Sequence, residues 1–87
     1  MEFEINQKEL KEKLIYIYEC YIAEDKELQK RGIEKAKELD GLWSGAFLLK
    51  EEIENAIGGL RYMYLEPNIS KQEAKIILEK IKNVKIN

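Results

Sequence analysis

Residues 14–22 read Leu14-Ile15-Tyr16-Ile17-Tyr18-Glu19-Cys20-Tyr21-Ile22, a β-branched and aromatic run whose composition suits a strand. Its apolar residues, however, do not alternate with polar ones. Leu10, Leu14, Ile17 and Tyr21 instead recur at helical spacings, Leu28 continues the stripe past Glu24, and Ile15, Tyr18 and Ile22 widen the apolar face. The run therefore reads as a helix with more than one partner to cover. Upstream, Ile5-Asn6-Gln7-Lys8-Glu9-Leu10 supplies a start: Asn6 as cap, Glu9 reaching back to it, and Ile5 stapled on Leu10.

Working towards the C-terminus, Leu28, Gly32, Ile33, Ala36, Leu39, Leu42 and Trp43 continue a helical period through a glycine that could also end the first helix after Lys30 and Arg31. Asp25 is the alternative, a cap for a second helix after a break near Ala23 and Glu24. The expectation is a bend between Glu24 and Gly32, with Asp40-Gly41 and Ser44-Gly45 as a turn and a new cap. Leu42, Ala46, Leu49, Ile53, Ala56, Leu60 and Tyr64 then form one stripe, with Trp43, Ile57 and Met63 beside it, closed by Pro67 and Asn68. Ser70-Lys71-Gln72-Glu73 is a second capping box, opening a helix with inner face Ala74, Ile77, Leu78, Ile81 and Val84. The spacing thus predicts helices over about 7–23, 25–40, 43–65 and 71–84: an all-α fold, a small antiparallel bundle of three to four helices.

At 87 residues the chain is one domain. With 45% hydrophobic and 37% charged residues it is too apolar for a disordered segment and too charged for a membrane protein. Its start, Met1-Glu2-Phe3-Glu4, lacks the basic opening of a signal peptide, so a cytoplasmic location is expected. Five tyrosines, one tryptophan and two phenylalanines look like more apolar surface than so small a bundle can cover, which predicts a homo-oligomer. Tyr16, Tyr18, Tyr21, Trp43, Phe47 and Met63 are the candidate interface residues.

The chemistry available is limited. One cysteine, Cys20, and no histidine remove disulfides within the chain, Cys/His zinc sites and every Ser-His or Cys-His catalytic device. Cys20 reads as a packing residue. Glu51, Glu52 and Glu54 read as a solvated face, and no metal, cofactor or catalytic residue is assigned. Fifteen Lys plus Arg against seventeen Asp plus Glu, a net charge of −2, argue against gripping a nucleic-acid polymer. Gly58-Gly59 inside a predicted helix costs up to about 2 kcal/mol against two alanines and asks for a close approach by a neighbouring helix or a flat ligand. Arg61 follows among Tyr62, Tyr64 and Met63. An arginine fork suits an anion and tyrosines stack on bases, so Arg61, Tyr62, Tyr64, Gly58 and Gly59, with Arg31 and Lys35, form a candidate anion pocket; the plainer reading pairs Arg61 with Glu54 or Glu66.

Two functions follow as expectations. The first is a non-enzymatic protein that binds a partner protein stoichiometrically, as an inhibitor or regulator. The second is an oligomeric sponge for a small anionic ligand such as a cyclic nucleotide, held between subunits. The Lys-, Ile-, Glu-, Asn- and Tyr-rich composition suits AT-rich coding sequence, hence a low-GC bacterium or its phage. Small phage anti-defence proteins use both strategies, and the chain is similar to them in size and plan alone. An enzyme is not expected.

Overall fold

Residues 14–22 lie inside a helix. The computed structural model describes residues 7–42 and 50–85, and α1 spans Gln7–Ile22, α2 Lys26–Leu42, α3 Glu51–Tyr64 and α4 Lys71–Lys82, with no strand among the described residues. The stripe of α1 faces inward: Leu10, Leu14, Ile17, Tyr18 and Tyr21 are buried, while Tyr16 stays outside. The predicted cap at Asn6 lies outside the described residues.

Asp25 ends the ambiguity about the second helix. Its carboxylate accepts from the Glu27 N–H at 2.8 Å, satisfying one of the donors that a helix start leaves orphaned, and its carbonyl accepts the first intrahelical bond, from the Gln29 N–H at 3.0 Å. The chain turns at Ala23–Asp25 and α2 then runs straight through Gly32, so Lys30 and Arg31 do not close a helix. Gly32 is where α1 and α2 cross. A Cβ there would stand 2.7 Å from Cys20 Cβ and 3.1 Å from the Ile17 carbonyl oxygen. The expected turn at Asp40-Gly41 is also corrected, since both residues are helical.

The third helix is shorter than expected. Lys50 is extended, with φ −65° and ψ 145°, and α3 begins at Glu51. No side chain caps it; Glu51, Glu52 and Glu54 instead place negative charge in its first turn, where the helix dipole favours it. The dipole suits a glutamate cluster at this position, and no group of three His, Cys, Asp or Glu side chains that could hold a metal ion occurs among the described residues. The predicted positions 43–49 lie outside the described residues. At the other end Leu65 is extended, and Asn68 Nδ2 donates to the carbonyls of Met63 and Leu65, both at 3.1 Å. Ser70 caps α4 as predicted, its hydroxyl accepting from the Glu73 N–H at 3.1 Å.

The four described helices pack around one core. α1 packs against α2 and α4, and α3 closes the ring by packing against the same two helices. Tyr21 donates to the Ile69 carbonyl at 2.5 Å just before α4, and Lys11 to the Val84 carbonyl at 2.6 Å just beyond it, so α1 and α4 run antiparallel. Across the diagonal, Tyr18 donates to the Ala56 carbonyl at 2.6 Å. The Cα radius of gyration, 12.3 Å, matches the roughly 12 Å expected of a packed chain this long. No described helix is long and apolar enough to cross a membrane.

Candidate functional site

Two of the predicted interface tyrosines belong to the core of the bundle itself. Tyr18 is fully buried and Tyr21 nearly so, and Met63 is buried beside them. Each phenol finds a carbonyl inside the bundle, which removes the cost of burying it. Burial also raises both above the ordinary tyrosine pKa of 10.0. These three are therefore not available as an interface. Trp43 and Phe47 lie outside the described residues. Among the described residues Tyr16 and Tyr62 are the exposed aromatics, about half exposed each, and they sit on different surfaces. Tyr16 lines a cleft of about 480 Å³ between α1 and α2, with Glu9, Glu12, Lys13, Lys35 and Glu38. Tyr62 lies on the outer face of α3.

The two glycines of α3 divide their roles. Gly59 is buried, and a Cβ there would collide with the Tyr18 hydroxyl. It is the space that lets the phenol reach Ala56. Gly58, one residue earlier, is exposed, and a Cβ there would meet nothing within 4 Å. The outer face of α3 is therefore lowered at Gly58 into a saddle of about 860 Å³. Asp40 and Arg61 wall it on the α2 side. Asn68, Ile69, Glu73 and Ile77 wall it on the α4 side, and Tyr62 and Glu54 rise from α3 itself.

Arg61 does not pair with Glu54 or Glu66. Its Nε lies 3.9 Å from Asp40 Oδ2, and the same carboxylate oxygen accepts the hydroxyl of Tyr64. Asp40 is the shielded member of this trio, its side chain 15% exposed against 63% for Arg61. The hydrogen bond to Asp40, with some burial, raises the Tyr64 phenol above its usual value. The trio ties the C-terminal turn of α2 to that of α3, so Tyr64 is held as a strut rather than offered to a ligand.

The predicted anion pocket is only partly assembled. Gly58, Gly59, Arg61 and Tyr62 share the saddle, but Arg31 and Lys35 do not line it. They precede Asp40 on α2 by nine and five residues, roughly 180° and 140° around the helix axis. Lys35 is paired instead with Glu38 at 3.3 Å. The saddle carries the carboxylates of Asp40, Glu54 and Glu73 against one guanidinium, a net charge of −2. Sequence reasoning missed Asp40, Asn68 and Glu73 because they come from other segments of the chain. Comparison with protein-family models, with curated proteins and with solved structures finds no match.

Proposed function

We propose that the protein is a non-enzymatic binding module that engages a partner protein stoichiometrically through the saddle on α3. The observation that carries this reading is Gly58. A glycine inside a helix costs about 1 kcal/mol against alanine, and Gly59 repays that cost by admitting Tyr18, whereas a Cβ at Gly58 would meet nothing within 4 Å. Its bare backbone suits the close approach of another chain. Tyr62 at the edge supplies a rigid, half-exposed aromatic of the kind that anchors protein interfaces. The anionic-ligand reading gains no such support, because its basic residues are dispersed and the saddle's field is negative.

The test is capture with the immobilised full chain from a lysate of the cell that encodes it, with the yield of partner compared between variants. The wild-type chain should retain one protein near an equimolar ratio. Gly58→Leu, which fills the saddle without touching the core, should lose it, and Tyr62→Ala should weaken it by more than about 1 kcal/mol. Equal capture by wild type and Gly58→Leu refutes the saddle as the site.

A further inference from the structure

Resting on the protein-binding reading above, we infer that the segment docking in the saddle is cationic: a Lys- or Arg-bearing face of the partner protein. Three features of the saddle converge on that chemistry. The first is charge. Arg61 already faces Asp40, while Glu54 and Glu73 have no ion-pair partner among the described residues. Both are exposed, so a cation at the rim can meet them at little desolvation cost. An anionic occupant would meet net negative charge from every side except Arg61.

The second feature is Tyr62, whose half-exposed ring offers its face to an ammonium or guanidinium. The third is the apolar part of the α4 wall. Ile69 and Ile77 are half-buried and line the same saddle as the bare backbone of Gly58. Apolar surface flanked by carboxylates matches the aliphatic stem and charged head of lysine or arginine. Here the two exposed carboxylates give orientation and each strengthens binding by about threefold, while the apolar wall and Gly58 supply the contact.

The probe is a synthetic helical peptide with lysines on one face and leucines on the other, set against a twin in which every lysine is glutamate. Each is titrated into the full chain while backbone amide chemical shifts are followed. The lysine peptide should shift the amides of Gly58, Tyr62 and Glu73, and its affinity should fall about threefold or more as salt rises from about 50 to 500 mM. Glu54→Gln with Glu73→Gln should weaken it by about tenfold. Arg61→Ala should tighten it severalfold, the opposite of what an anion site requires.

Equal or tighter binding of the glutamate twin, shifts confined to the α1–α2 cleft at Tyr16, or weaker binding in Arg61→Ala would each overturn the inference. So would dilution-dependent shifts at Gly58 in the protein alone, since a second copy would then occupy the saddle. If Gly58→Leu loses the captured partner but the lysine peptide binds no better than its twin, the saddle remains the site and only the charge assignment falls.

Discussion

At Gly59 a methyl group would meet the hydroxyl of Tyr18, a rigid ring that is fully buried and anchored to Ala56. The ring cannot swing aside without breaking that hydrogen bond, so Gly59→Ala should destabilise the fold by about 1–3 kcal/mol despite alanine's better helix propensity. Gly58→Ala meets no obstacle and should stabilise it by about 0.5–1 kcal/mol. Urea unfolding of the two variants measures both signs. The double variant Tyr18→Phe with Gly59→Ala, which deletes the obstructing oxygen, should lose less than the two single changes added together. The sequence exposed the cost of the glycine pair, because propensity is local. It could not say which glycine repays the cost, because the answer is a phenol on another helix.

Element boundaries divide along the same line. Asp25 and Ser70 are legible in the sequence because a cap bonds within its own first turn. Gly32 is not, since a glycine after Lys30 and Arg31 serves equally as a helix terminus or as a crossing point, and only the approach of Cys20 decides. The start of α3 at Glu51 was hidden because the apolar period runs on across Leu42, Ala46 and Leu49 regardless of Lys50. The crossing is unforgiving, as the atoms around Gly32 include the Ile17 carbonyl and the Tyr21 amide, which belong to backbone. Gly32→Ala should therefore push α1 and α2 apart and lower stability by about 1–3 kcal/mol, read as a lower midpoint in urea. The strut from Tyr64 to Asp40 is less demanding. Tyr64→Phe removes one hydrogen bond at the partly exposed end of α2 and should cost about 1 kcal/mol by the same measurement.

For the whole molecule, the expectation of surplus apolar surface counted Tyr18 and Tyr21, which the bundle turns inward, while Tyr16, Leu28, Tyr62, Leu65 and Ile76 stay exposed. The bundle can turn the two phenols inward because each hydroxyl reaches a carbonyl, of Ala56 and of Ile69 respectively. The same arrangement makes the fold sensitive to alkali. Burial raises both phenols above 10.0, so the folded chain holds these protons more tightly than the unfolded one. The stability they contribute is intact below pH 10 and is lost as the pH climbs above it towards their folded values. Tyr18, the more deeply buried, should remove up to about 1.4 kcal/mol for each further pH unit. Tyrosinate absorbance and helical circular dichroism followed together from neutral pH upwards should show the buried tyrosines ionising only as helix is lost. Tyr18→Phe should flatten that alkaline slope even though it weakens the fold at neutral pH by giving up the bond to Ala56. Ionisation of every tyrosine near 10 with the helices intact would mean that the two phenols are not buried in the core.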